Sequence, residues 1–322
     1  MGSLKRMSFK HKNNKFLYYF ANYSRQLVPG IFYRLCLNRQ LAKIRNYNTA
    51  YINDRVNYYN KLEENQALPA DTGKLADLKV KKHLKTYIFD SYLYTRFFNP
   101  NLTINFLFGD ITNVPEHPSI VKSRPISEGN ANSVILKLDK VRHFTFTRDK
   151  TNFVDKKGML VGRSKINQSH RARFMEMYYG HSLCDIGNVT KKGKFTQWQA
   201  PRLTISEHLK FKYILCLEGN DVASNLKWVM SSNSIAVMPK PKYETWFMEG
   251  TLVPNFHYIL IKDDYSDLEE RLNYYTEHTE EALQIISNAH QYIKPFKNKK
   301  QENLISLLVL QKYFQKTGQI LP

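Results

Sequence analysis

Two rhythms of apolar spacing run along this chain, one of three to four residues and one of short unbroken runs. From Lys5 to about Lys85 the first dominates, most evidently over residues 42–62, and predicts helices until Pro69-Ala-Asp-Thr-Gly73 interrupts them. Residues 102–108 form the first run of strand type, stopped by Gly109-Asp110, and residues 133–138 form a second after a loop rich in Ser, Pro, Gly and Asn. Met159–Val161 predicts a short strand, Gly162-Arg163-Ser164 a turn and residues 170–179 a helix. The most informative segment follows. Apolar Tyr213–Leu217 stops at Glu218-Gly-Asn-Asp221, helical spacing then puts Val222, Leu226 and Val229 on one face, and residues 234–238 are apolar again. That is a βαβ unit. Residues 258–262 add a strand, and helices are expected at 267–275, 280–293 and 302–314. Strands alternating with helices make the class α/β.

The βαβ unit also carries candidate chemistry. Glu218, Asp221, Ser224, Asn225 and Lys227 fall at the carboxyl end of its first strand and the start of its helix, where open α/β sheets bind ligands and a helix N-terminus attracts anions. A nucleotide phosphate is the expected guest. Asp221 reads equally well as a helix N-cap.

Length and charge change this picture in two ways. At 322 residues the chain exceeds one ordinary core, so two domains are expected, residues 1–155 and 156–295, with the charged stretch from Thr147 to Gly158 as hinge. Forty-eight Lys and Arg against 28 Asp and Glu leave a formal charge of +20, which calls for an anionic partner: nucleic acid, a membrane surface or a phosphorylated substrate. Much of the charge lies in the first 90 residues, as in Lys5–Lys15 and Lys79–Lys85, interleaved with Phe16, Tyr18, Tyr19 and Phe20. No helix-turn-helix, zinc-finger, RRM or KH signature accompanies it, so no nucleic acid is expected and acidic headgroups suit it better. Cys36, Cys184 and Cys216 are too few and too scattered for a metal site or a disulfide framework. Without a signal-peptide pattern or an 18-residue apolar run, the expectation is a cytoplasmic protein, peripheral at the inner membrane. His143, His170 and His257 have no metal-ligand spacing, no Asp-x-Asp occurs, and no essential cofactor or divalent ion is expected.

Taken together, several segments resemble glycosyltransferase family 90, the CAP10-like group, and most closely its bacterial lipopolysaccharide A branch. The segments are Phe108-Gly-Asp-Ile-Thr-Asn-Val-Pro115, Val121-Lys-Ser-Arg-Pro-Ile126, Lys140-Val-Arg-His-Phe144, Gly162-Arg-Ser with His170-Arg171, Glu218–Trp228, Tyr243–Glu249 and the region His257–Leu268. The resemblance implies a GT-B architecture: two Rossmann-like domains facing across a cleft, nucleotide sugar on the C-terminal one and acceptor on the N-terminal one. A C-terminal helix, about 296–322, is expected to cross back to the first domain. It implies inversion at the anomeric carbon, with a carboxylate base in a segment that reads Asp-Tyr-Pro-x-Val-Pro in eukaryotic members. Asp110 matches that position, with Ile111 and Thr112 in place of Tyr-Pro. Inverting transfer asks for such a base independently, together with positive charge for the leaving diphosphate. Arg163 and Arg171 match the family's donor-binding positions, although Gly162-Arg-Ser stands where the bacterial branch commonly has Trp-Arg-Gly, and Lys227 is a further cation. Glu218 and Asp221 are expected on ribose or sugar hydroxyls, Ser224 and Asn225 on phosphate, and Glu249 with Trp246 around the sugar, although a tryptophan such as Trp246 is more often core than ligand contact. Lys122 and Arg124 are expected on the acceptor side.

The activity so implied is transfer of a hexose from UDP-glucose or UDP-galactose, a co-substrate, to the inner core of a lipopolysaccharide or lipooligosaccharide at the inner face of the cytoplasmic membrane. Two alternatives remain: a non-catalytic basic protein that binds anionic membrane or nucleic acid, and a transferase for a capsular or protein acceptor.

Overall fold

A computed structural model describes residue 11 and residues 13–190 and 195–321. The basic run Lys5–Lys15 lies mostly outside the described residues. The strands are β1 (Phe106–Leu107), β2 (Ser119–Val121), β3 (Ser123–Pro125), β4 (Ser133–Ile135), β5 (Lys157–Ser164), β6 (Cys184–Asn188), β7 (Phe211–Leu215), β8 (Ile235–Met238), β9 (Tyr243–Thr245) and β10 (Ile259–Leu260). They divide between two compact units. The β1 unit comprises Asn14–Arg142, Lys242–Gly250 and Pro295–Pro322; the β5 unit comprises His143–Pro241 and Thr251–Lys294, together with Asn13. Parallel sheets in both give a mixed α/β fold.

The β5 unit is built on a five-stranded sheet of order β10-β8-β7-β5-β6, with every neighbouring pair parallel. Strands buried on both faces read as unbroken apolar runs, which is why β7 and β8 were legible. Leu160, Tyr213, Ile235, Val237 and Ile259 form its core with Phe174 and Tyr178 of the helix Ser169–Tyr178 and Leu268 and Leu272 of the helix Leu268–Glu277. In chain order the sheet runs 2-1-3-4-5, so the winding reverses between β5 and β7. The carboxyl ends of those two strands open a crevice of the kind where such sheets hold nucleotides. A side chain at Gly162 would put its Cβ 3.1 Å from that of Leu215, so glycine is what lets β5 and β7 pair this closely.

Three expectations for this unit change. Gly162-Arg163-Ser164, expected as a turn, completes β5 and pairs with Ile186, Gly187 and Asn188 of β6. The helix between β7 and β8 is a single turn, Leu226–Val229, although Val222, Leu226 and Val229 are buried as its spacing required. Its start is held back because Asn225 turns its side chain to the end of β7, donating from Nδ2 to the Leu215 carbonyl at 2.9 Å. Asp221 is therefore four residues short of the N-cap position, which removes that alternative reading of it. The charged stretch 147–158 is part of this unit and is tied down throughout. Lys156 Nζ, buried, donates to Asp149 Oδ2 at 2.7 Å and Ser234 Oγ at 3.0 Å; the Asn233 amide donates to Asp149 at 3.0 Å and the Thr147 amide to Ser231 Oγ at 2.8 Å. A stretch so bonded is a built connection, and the chain passes between units at Arg142 and His143 instead.

In the β1 unit, β1, β2 and β4 form a parallel sheet, and β3 pairs antiparallel with β9, the one strand contributed from far along the chain. The C-terminal helix Lys299–Lys316 packs on the helices Thr49–Tyr59 and Lys85–Thr95, burying Leu304, Ile305, Val309, Leu310, Tyr313 and Phe314. Next to this apolar face sits a buried carboxylate. Glu302 accepts from Arg55 Nη2 at 3.0 Å, Lys137 Nζ at 2.8 Å and Trp246 Nε1 at 2.6 Å, so one side chain joins four separate segments.

Candidate functional site

In the β5 unit the crevice at the ends of β5 and β7 gathers several of the expected donor residues. Arg171 stands in the first turn of the helix Ser169–Tyr178, which follows β5, and reaches the loop after β7. Its Nε donates to the Glu218 carbonyl at 2.8 Å, Nη2 to Leu217 at 2.9 Å and Nη1 to Lys165 at 2.9 Å. His170 Nε2 lies 3.0 Å from the same Glu218 carbonyl, and Gln168 Nε2 donates to Asn220 Oδ1 at 2.9 Å. The helix start thus clamps the Glu218–Asp221 turn. Arg171 meets only carbonyl oxygens, and among the described residues no carboxylate lies within ion-pair distance of it. Burial pushes its guanidinium below the ordinary value, offset in part by Tyr265. Three of its five N–H donors are engaged, which leaves positive charge and donors for an incoming anion.

Arg163 differs. Near the end of β5, its Nη2 pairs with Asp185 Oδ1 of β6 at 2.5 Å, while Nη1 donates to the Asp185 carbonyl at 2.6 Å and Nε to Pro201 at 3.0 Å. That carboxylate neutralises it and the bonds bind it to β6, whereas no carboxylate among the described residues pairs with Arg171. Asp185 escaped sequence reading because β6 was itself unread.

The remaining donor candidates scatter. Glu218 is half-buried and Asp221 buried in the clamped turn, Ser224 is exposed, and Asn225 holds the Leu215 carbonyl. Lys227 is fully buried with its Nζ 5.8 Å from the Phe144 ring centroid, an interior position that corrects its expected place on the phosphate. Glu249 needs a larger correction: it belongs to the β1 unit and is buried, accepting from the Thr245 amide at 2.6 Å and the Thr245 hydroxyl at 2.9 Å. It closes the turn after β9, where Met248 takes a positive φ of 58°. Trp246 is wholly buried, stacked on Tyr59 with ring centroids 3.8 Å apart, so it is core.

The β1 unit holds the other half of the expected chemistry. Asp110 follows β1 by three residues, set there by Gly109, whose φ of 124° favours glycine. Lys122 directly follows β2, the parallel neighbour of β1, and its ammonium meets the Asp110 carboxylate. Lys122 is buried while the carboxylate stays part-exposed. The lysine was expected on the acceptor side; its place beside Asp110 was hidden because β2 is too short to show a pattern. Arg124 was expected with it and is corrected. It is fully buried, with Nε on Glu244 Oε1 at 2.7 Å and its other nitrogens on the carbonyls of Tyr58 at 2.7 Å and Ser133 at 3.1 Å, so it ties β3 to β9. Among the described residues no group of three or more His, Cys, Asp or Glu is placed to hold a metal ion.

Comparison with known proteins adds an independent observation. The profile of "Glycosyl transferase family 90" matches residues 140–315. "O-glucosyltransferase LpsA" of Dichelobacter nodosus is 42% identical over 265 residues, which are 82% of this chain and 83% of that protein. "Uncharacterized protein 027R" of Frog virus 3 (isolate Goorha) is 30% identical over 129 residues, 39% of this chain and 13% of that protein.

Proposed function

This chain belongs to glycosyl transferase family 90 and is a glycosyltransferase, and from that premise we propose that it transfers a hexose from UDP-glucose or UDP-galactose, with inversion, to the inner core of a lipopolysaccharide or lipooligosaccharide. The Dichelobacter nodosus relative carries the name O-glucosyltransferase, which favours glucose. On this reading the enzyme has the GT-B architecture, with the donor on the β5 unit and the acceptor on the β1 unit, and it works at the inner face of the cytoplasmic membrane without an essential metal ion.

Asp110 takes the proton of the acceptor hydroxyl as its oxygen forms a bond to C1 of the sugar. The bond from C1 to the diphosphate breaks, UDP leaves, and Arg171 stabilises the negative charge that develops on it. Lys122 holds the carboxylate in place, and the Glu218–Asp221 turn faces the hydroxyls of ribose or sugar.

The observation that carries this reading is Arg171, a half-buried cation without a carboxylate partner among the described residues, at the point where the sheet reverses its winding. The test is incubation of the purified chain with each UDP-sugar and a truncated lipooligosaccharide, followed by mass measurement of the acceptor. A gain of one hexose is expected. Asp110→Asn should lower turnover by about 10²–10⁴-fold with UDP affinity retained. No transfer from either donor, or full turnover by the variant, would overturn the proposal.

A further inference from the structure

The helix Lys15–Gln26 is turned inside out for a protein in water. Tyr18, Asn22 and Arg25 share one face, and that polar face is the one turned to the β1 unit: Tyr18 donates to Asp90 Oδ1 at 2.8 Å, buried Asn22 donates to the Tyr18 carbonyl at 2.8 Å, and Arg25 donates to Asn22 at 3.0 Å. The opposite stripe is apolar and faces solvent, with Phe16 75%, Phe20 63% and Leu27 84% exposed. The next short helix, Gly30–Arg34, continues it through Phe32 at 60% and Leu35 at 75%. A surface of this kind marks an interaction site.

The charge of the same segment says what it meets. Between Asn13 and Asn53 there are six cations, Lys15, Arg25, Arg34, Arg39, Lys43 and Arg45, and the first acidic residue of the whole chain is Asp54. Arg25, Arg39 and Lys43 bond the neutral side chains of Asn22, Cys36 and Gln40, and among the described residues none of the six pairs with a carboxylate. Large exposed apolar side chains amid positive charge, with no acid between them, complement a phosphate-bearing apolar phase. No helix among the described residues is long and apolar enough to cross a membrane.

We propose that residues 15–45 form a docking surface for an anionic lipid bilayer, with Phe16, Phe20, Leu27, Phe32 and Leu35 inserted at the level of the headgroups and Lys15, Arg34, Arg39, Lys43 and Arg45 against lipid phosphates. This surface is separate from Asp110 and Arg171 and stands or falls apart from the transfer chemistry.

The test is co-sedimentation of the full chain with vesicles of phosphatidylglycerol and phosphatidylethanolamine, with pure phosphatidylcholine vesicles in parallel. The wild type should bind the anionic vesicles and release them at high salt. Phe16→Ser/Phe20→Ser/Phe32→Ser, changed only at exposed positions, should bind at least tenfold more weakly. Replacing Lys15, Arg39, Lys43 and Arg45 by Gln should weaken binding by about fivefold per charge on the anionic vesicles alone. Both variants should keep wild-type thermal unfolding and wild-type transfer to a water-soluble truncated acceptor. Equal vesicle binding by wild type and variants overturns the proposal. So does a triple variant that converts a dimer to a monomer with vesicle binding unchanged, or a wild type that binds RNA in preference to the vesicles.

Discussion

Removal of the Glu302 carboxylate should test how the β1 unit is held together. Arg55 Nη2 at 3.0 Å, Lys137 Nζ at 2.8 Å and Trp246 Nε1 at 2.6 Å all converge on this one buried group. Burial by itself raises a carboxyl's affinity for its proton, but Lys137 and Arg55 outweigh it and hold Glu302 below the ordinary carboxylate range. Glu302→Ala takes the counter-charge from two buried cations and an acceptor from Trp246. Breaking a buried pair on one side costs about 3–5 kcal/mol, because the abandoned charge stays in a low dielectric. Glu302→Gln keeps an acceptor for Trp246 and loses only the charge, so about 1.5–3 kcal/mol is expected. Urea unfolding followed by far-UV circular dichroism, extrapolated to water, measures both. The pH dependence follows from the direction of the shift. A depressed folded value means that Glu302 contributes its stability in full above the unfolded carboxylate value of about 4.3 and loses it as pH falls through the folded value. The gap between wild type and Glu302→Ala should therefore be widest at neutral pH and close on acidification. A gap under about 1 kcal/mol at pH 7, or one that widens in acid, would refute this reasoning.

Two further outcomes concern the site. Arg171→Lys removes the planar fork that spans the Lys165, Leu217 and Glu218 carbonyls, so the KM for the UDP-sugar, read in initial-rate assays, should rise about tenfold or more; an unchanged donor KM would exclude Arg171 from the diphosphate. At Gly109 an added Cβ meets nothing within 4 Å, yet the φ of 124° strains any L side chain, so Gly109→Ala should fold, lose about 1–3 kcal/mol and lower kcat by moving Asp110, while donor KM stays constant.

Local pattern carried what local physics imposes. Strands buried on both faces must be apolar throughout, so β7, β8 and β10 showed themselves as runs, and the helices Ser169–Tyr178, Leu268–Glu277 and Thr279–Lys297 showed themselves as stripes. The likeness to family 90 was legible residue by residue instead, in segments that lie largely in loops beside strands, such as 108–115 after β1 and 218–225 after β7, and Asp110 and Arg171 came with it. Strands of two or three residues have no period to read, so β2, β3 and β9 were missed, and with them the meeting of Lys122 with Asp110 and of Arg124 with Glu244. Whether a charged side chain faces water or the interior is decided by partners far away in the chain. Arg124, Lys227 and Glu249 looked alike as surface candidates, and only tertiary packing buried them. The converse holds for Phe16 and Phe20, whose apolar character argues for a core. Their exposure was fixed when Tyr18 found Asp90, 72 residues away, and turned the polar face of that helix inward.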